Sequence, residues 1–529
     1  MRVTRWIAAG LTAALLAVAP AAEAKTFRFA FQGDYKSLDP YTLNETFTLA
    51  LHAAAYEGLT KRGPKLEIIP GLAESWEVVD PLRWRFHLRK GVKFHNGEDF
   101  TADDVIFSAD RVRATGSNLT ARIPSDARFV KVDDWTVDVE LTKPNPILHY
   151  EWDTWYIMSR KWAEANNAVA PTPAAASTPS FAALNENGTG PFRVESHQPG
   201  VKTIWKPYAG WWGKPEHNLT EAIFTPIASD STRVAALLSG EVDWIEPVPV
   251  QDIQRVNASP NAQVLTGPEL RTIFLGFDQR HDELKYSNVK GKNPFKDVRV
   301  RQAFYQAIDI NAIKDKVMRG MSTPSALMIS PLLYARSGEF KRFPFDPDAA
   351  KKLLADAGYP QGFEVAMDCP NDRYVADEAI CQAVVGMLAK VGIKVNLNAQ
   401  PKAKYFAKVL APSYDTSFYL LGWTPGSFDS WNILFNMYGC RTDEGKGRGE
   451  PNLGGYCNPE VDKLADAVLG EGDPQKRDEL IYQAYDIGQN KDVGYIPLHQ
   501  QALAWGVSKK TKVVQRADDQ FLLYWVNKE

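Results

Sequence analysis

The chain has 529 residues, 44% of them apolar and 24% charged, an ordinary globular composition that is too long for one compact core and excludes a wholly disordered, collagen-like or coiled-coil molecule. Lys and Arg total 61 against 64 Asp and Glu, so no basic excess exists to neutralise a nucleic acid backbone, and nucleic acid is not an expected partner.

At the N-terminus Arg2 and Arg5 precede an Ala/Leu-rich stretch from Ile7 to Ala19, then Ala22-Glu23-Ala24. A basic region, a short apolar run and a small-x-small site in that order predict a secretory signal over residues 1–24, since a membrane span needs about 20 apolar residues. No cysteine follows the site, so no lipid anchor is expected there. Export to the periplasm follows from this reading.

Beyond the signal, Phe27 to Phe31 alternates as a strand does and runs into the turn-prone Gly33-Asp34. Trp76–Val79 and Trp84–Leu88 predict two strands joined through Asp80-Pro81. A loop over Gly91 to Gly97 follows, and Thr101 with Asp103 and Asp104 opens a helix that runs to Arg113. Lys131 to Leu141 predicts a further strand pair. The Pro- and Ala-rich segment 168–180 lacks the bulk for a core and predicts a surface loop. Gly188-Thr189-Gly190-Pro191-Phe192 turns into a strand, and Ser231–Ser239 forms a helix stopped by Gly240. Val298 to Met318 predicts one long helix, with Val300, Phe304, Ala307 and Ile308 on one face. Ala349–Ala357 is a helix ended by Gly358, and helix Asp377–Lys390 leads through Gly392 to strand Ile393–Leu397. Interleaved strands and helices favour an α/β fold, and no period of 20 to 50 residues marks a solenoid.

In an exported chain four cysteines can persist as disulfides, and four thiols allow three pairings. The local spacings favour Cys369 with Cys381 and Cys440 with Cys457, because each loop is short enough to close at small entropic cost. Free buried thiols are the alternative; a zinc site would want a CxxC or paired-His motif, and neither occurs.

The chain carries no GxSxG elbow, phosphate loop, HExxH or GxGxxG. Eight histidines form no i, i+4 pair, so no catalytic centre, metal or cofactor is expected. Aromatic residues are plentiful instead, with 15 Trp, 20 Tyr and 25 Phe. The loop Gly422 to Asn432 brings together Trp423, Trp431, Asp429 and Asn432 after the apolar run Phe418–Leu421. Its indoles offer flat walls with an N–H donor, and Asp429 offers an acceptor for an ammonium or hydroxyl.

The stretch Leu72 to Gly97, with Phe100 to Val105 after it, resembles the hallmark segment of the extracellular solute-binding proteins of ABC importers, in the dipeptide, oligopeptide and nickel class. The GTGPF run at 188–192, the segment 294–320 and Tyr495-Ile496-Pro497-Leu498 agree with the same family, in its order along the chain. The resemblance implies a type II periplasmic-binding-protein-like α/β fold: two lobes about a hinge, with an additional subdomain. The first lobe is expected from residues 25–70, 190–285 and 500–529, the extra subdomain from 71–189, and the second lobe from 286–499. Capture of a small solute between the lobes and delivery to an inner-membrane permease, by a monomer and without catalysis, is the implied function.

For the ligand, a short peptide or peptide-like compound is the first expectation; a metal chelate, haem, an opine or a sugar is the alternative, and a secreted hydrolase is a distant one. Peptide-binding members hold the ligand's ammonium with an aspartate just after the Gly-Trp pair, a position that is Gly426 here, with Asp429 three residues on. Arg373 falls near the position that meets a ligand carboxylate, which its planar fork suits. Asn44, Glu45 and Thr46 fall where members line the cleft.

Overall fold

The structure is a computed structural model that describes residues 25–442 and 447–529. The expected signal at 1–24 lies outside the described residues. Among those described, no helix is long and apolar enough to cross a membrane.

In chain order the elements that position the site are β1 (Thr26–Phe31), α1 (Thr46–Ala55), β2 (Ala73–Asp80), β3 (Arg83–Leu88), α2 (Ala102–Arg113), β4 (Arg128–Asp133) and β5 (Thr136–Glu140). Next come β6 (Phe192–Gln198), β7 (Lys202–Pro207), β8 (Glu221–Pro226), α3 (Asp230–Ser239), β9 (Trp244–Glu246) and β10 (Ala262–Phe277). The remainder supplies α4 (Val298–Gln306), α5 (Pro347–Asp356), β11 (Glu364–Pro370), α6 (Asp377–Ala389), β12 (Lys394–Gln400), β13 (Phe418–Trp423), α7 (Ser430–Asn436) and β14 (Tyr495–Ser508).

One mixed sheet runs through both lobes in the order β12-β11-β13-β10-β14-β9-β1-β8-β7-β6. Its two long strands, β10 and β14, carry the connection. Residues 262–268 of β10 pair with 502–508 of β14, residues 272–276 pair with 495–500, and the register shifts between Pro268 and Thr272. On one side of that shift β14 continues into β9 and β1, and on the other β10 continues into β13. The alternation read in Phe27–Phe31 buries Phe27, Phe29 and Phe31 completely, because β1 is interior to the sheet and α1 covers it through Phe47 and Leu51. In the other lobe β11 lies parallel to both β12 and β13, and α6 crosses between β11 and β12 as the βαβ passage required.

A separate four-stranded antiparallel sheet, β2-β3-β5-β4, makes the additional subdomain, with Trp84, Phe86, Val137 and Val139 turned onto α2 and the buried Trp152 and Trp155. The start of α2 is fixed as expected: Asp104 Oδ2 accepts from the Thr101 N–H at 2.9 Å. Gly188 and Gly190 are needed for close approach, since a Cβ would stand 1.8 Å and 2.6 Å from the carbonyl oxygens of Ala55 and Ala54.

Two sequence expectations need correction. The long helix over Val298–Met318 is broken after Gln306; Asp309 accepts from the Ala312 N–H at 3.0 Å and caps a new turn, which apolar periodicity alone does not register. The Pro/Ala-rich segment is not wholly at the surface, because Thr172 is buried and donates both its N–H and Oγ1–H to Asp39, itself paired with Arg111.

Candidate functional site: the interlobe cleft

A cleft opens where the lobes and the subdomain meet, and its lining draws on all three. Glu45 caps α1, accepting from the Thr48 N–H at 2.8 Å and Oγ1–H at 2.6 Å. Its carboxylate also faces the opposite lobe, with Arg373 Nε 3.0 Å from Oε1 and Lys402 Nζ 3.4 Å from Oε2. Burial opposes ionisation, yet Arg373, Lys402 and the two Thr48 bonds outweigh it and hold the carboxyl well below its usual range. Lys402 is itself seated over the Phe31 ring, 5.0 Å from its centroid.

Arg373 sits in the turn between β11 and α6. The buried Asp377 carboxylate fixes that turn by accepting from the N–H groups of Arg373 and Tyr374, each at 2.9 Å, and the Cys369–Cys381 disulfide brackets it. Arg373 hydrogen-bonds to no other described side chain or carbonyl and lines the cleft, so its planar fork is available to a solute. Tyr374 packs beside it, and Gly422 allows this closeness: a Cβ there would lie 2.8 Å from atoms of Arg271, Ile273 and Tyr374.

The other predicted residues divide. Asn44 and Thr46 line the cleft; Asn44 Oδ1 accepts from Arg122 Nη2 at 3.0 Å, and Thr46 Oγ1 accepts from Arg271 Nη2 at 3.1 Å. Trp423 lines it as well, its indole N–H donating to Asn432 Oδ1 at 2.8 Å. Asn432 is buried behind that indole and positions it. Asp429 and Trp431 are not in the lining. Asp429 caps α7, accepting from the Trp431 N–H at 2.7 Å, and binds Arg477 through both carboxylate oxygens at 2.9 Å and 2.7 Å. Trp431 stacks on Phe435, with ring centroids 4.7 Å apart.

Several lining residues escaped the sequence reading. Phe428 carries the guanidinium of Arg62 4.0 Å from its ring centroid, and the same arginine donates to the Gly426 carbonyl at 3.2 Å. Glu450, in the loop closed by the Cys440–Cys457 disulfide, accepts from Thr120 Oγ1 of the subdomain; burial pushes its carboxyl up to about 7. No local motif marks these residues, because each partner lies hundreds of positions away in the chain.

Among the described residues no group of three or more His, Cys, Asp or Glu could hold a metal ion. The cleft therefore offers charge, hydrogen-bond donors and aromatic walls, the means of gripping a solute by complementarity.

The family described as "Bacterial extracellular solute-binding proteins, family 5 Middle" matches residues 67–445. A dipeptide-binding protein of Escherichia coli K12 is 29% identical over 522 residues, covering 93% of this chain and 92% of its own. The glutathione-binding protein GsiB of Salmonella choleraesuis is 27% identical, at 96% and 94% coverage. Among solved structures, the periplasmic binding protein AgaA of A. tumefaciens R10 in complex with agropinic acid superposes with a TM-score of 0.81 at 25% identity, over 95% of this chain and 99% of that one. DppA of Helicobacter pylori, in complex with the peptide STSA, gives 0.83 at 23% identity, over 96% and 98%. Matched by its family over most of its length and along an unbroken two-lobed fold, the chain belongs to the bacterial extracellular solute-binding proteins of family 5, the substrate-binding components of ABC importers, and is not an enzyme.

Proposed function

We propose that the solute is a short peptide or peptide-like compound whose carboxylate rests on Arg373 and whose side chains lie against Trp423, Tyr374 and Phe428. The observation that carries this reading is Arg373 itself: its backbone turn is fixed by Asp377 and a disulfide, and its buried guanidinium lines the cleft and, beyond the charge contact with Glu45, hydrogen-bonds to no described residue. Asn44, Glu45 and Thr46 form the facing wall. After cleavage of the leader the protein acts in the periplasm as a monomer that hands its ligand to a membrane permease.

A second reading, a non-peptide carboxylate such as an opine, is supported by the loop at 423–429. Gly426 has no side chain, and Asp429 is turned to Arg477, so this loop presents no acid to an ammonium group. Calorimetric titration with the dipeptide Met-Leu, its N-acetylated form and agropinic acid separates the two. Binding of either peptide supports the first reading, the acetylated form in place of the free one meaning that no ammonium is recognised, and binding of the opine in their place supports the second. No heat from any of the three, together with no small molecule found by native mass spectrometry of the purified protein, removes both.

A further inference from the structure

Arg271 of the cleft lining also belongs to a buried cluster of acids beneath it. Glu246 ends β9, Glu269 and Arg271 occupy the register shift of β10, and Asp519 belongs to the C-terminal segment. All four are buried. Arg271 Nη1 pairs with Glu269 Oε1 and lies 3.3 Å from Asp519 Oδ2, while Asp519 Oδ1 accepts from the Trp505 indole at 3.0 Å. Glu246 faces the same groups from β9, with its Oε2 buried and without a hydrogen-bond partner, so three buried acids converge on one guanidinium, an arrangement that favours the neutral form of a carboxyl.

The other groups facing the cluster do not restore neutrality. Arg233 faces Glu246, but is already held by Asp230 and by the carbonyls of Ile227 and Pro247. Gln501 faces Glu269 and is uncharged. Arg373 also faces Glu269, from the opposite lobe and in contact with Glu45. Tyr374, from that same lobe, lies with its ring centroid 5.8 Å from the Arg271 guanidinium. Thr46 takes the remaining arm of Arg271.

This cluster sits where β10 passes from one lobe to the other, and its cover on one side, Tyr374 and Arg373, belongs to the lobe that swings. We infer that the hinge is coupled to protonation: closing the lobes seals Glu246 and Glu269 beside Asp519 around one guanidinium and draws a proton onto the two glutamates, and opening hydrates them and releases it. Burial, ahead of the opposing pull of Arg271, pushes the Glu269 carboxyl up to about 8, and burial with the neighbouring Asp519 raises Glu246 well above the usual carboxylate range. A carboxyl raised in the closed form favours closure when protonated. That contribution is complete below the value of the hydrated group, near 4.5, and is lost as the pH rises through the closed-state value.

Small-angle scattering of the ligand-free protein tests this without any assumption about the ligand. The radius of gyration is expected to be larger at about pH 8.5 than at about pH 5.5 in the wild type, and to keep its smaller value at both in Glu269→Gln, which holds the neutral form permanently. Glu246→Gln serves if Glu269→Gln fails to fold, judged by circular dichroism. A wild-type radius that does not change with pH, or a change of equal size in the Gln variant, overturns the inference.

Discussion

Glu45 and Arg373 meet across the cleft with 3.0 Å between Oε1 and Nε, although neither atom has the alignment of a hydrogen bond. The contact is one of charge. With Lys402 it places two cations of one lobe against one carboxylate of the other, so the contact ties the two lobes together.

Replacing Glu45 with Gln keeps the shape and removes that charge, leaving Arg373 and Lys402 buried without compensation. We expect a stability loss of about 3 kcal/mol in chemical denaturation at neutral pH. The pH dependence has a definite sign. The folded carboxyl lies below its usual value of 4.5, so its contribution is present above that pH and is lost as the pH falls toward the folded value. The difference between wild type and Glu45→Gln is expected to shrink from about pH 5 downward; a constant difference would refute the assignment.

Arg373→Lys retains a positive charge but loses the planar fork. A weakening of at least about tenfold is expected for a carboxylate-bearing ligand in calorimetry, with circular dichroism unchanged. Equal affinity in the two proteins would remove Arg373 from the site.

Asp429→Asn and Asn432→Ala are expected to differ in kind. The first removes the bidentate charge partner of Arg477 but keeps an α7 cap, costing at most about 1 kcal/mol of stability with little change in affinity. The second frees the Trp423 indole, and a ligand that stacks on that ring is expected to bind several-fold more weakly. A large affinity loss in Asp429→Asn alone would return this residue to the ligand.

Both disulfides bracket cleft loops: Cys369–Cys381 spans the turn of Arg373, and Cys440–Cys457 the loop of Glu450. Their separations of 12 and 17 residues correspond to about 3 kcal/mol each by chain entropy. Reduction is therefore expected to lower the melting temperature and to raise the dissociation constant together. A lowered melting temperature at unchanged affinity would limit the bridges to a structural role.

Much of the scaffold was legible because its signals are local. Phe27, Phe29 and Phe31 announce a strand, Thr101 and Asp104 announce a helix start, and the cysteine spacings favour, among three possible pairings, the two that the structure forms. The site was legible only in part. Glu45 and Arg373 were found as separate loop residues, but nothing near either one in sequence indicates that they face each other. Asp429 looked like a ligand acceptor because an acid between two tryptophans has that chemistry; its partner Arg477 arrives from a helix 48 residues away. Arg271 and Glu269 drew no notice, since the groups that make them unusual come from 246 and 519. The broken helix after Gln306 was missed for the opposite reason: the apolar stripe continues across a break that one aspartate side chain imposes.

The shift between Pro268 and Thr272 interrupts two strands that neither lobe owns. A polypeptide stitched this way has no clean seam at which half of it could melt alone: fraying β10 or β14 on one side strips the neighbouring strands on the other of their pairing. The same two threads that let the lobes swing also bind their fates, and heating should dissolve them in one cooperative event.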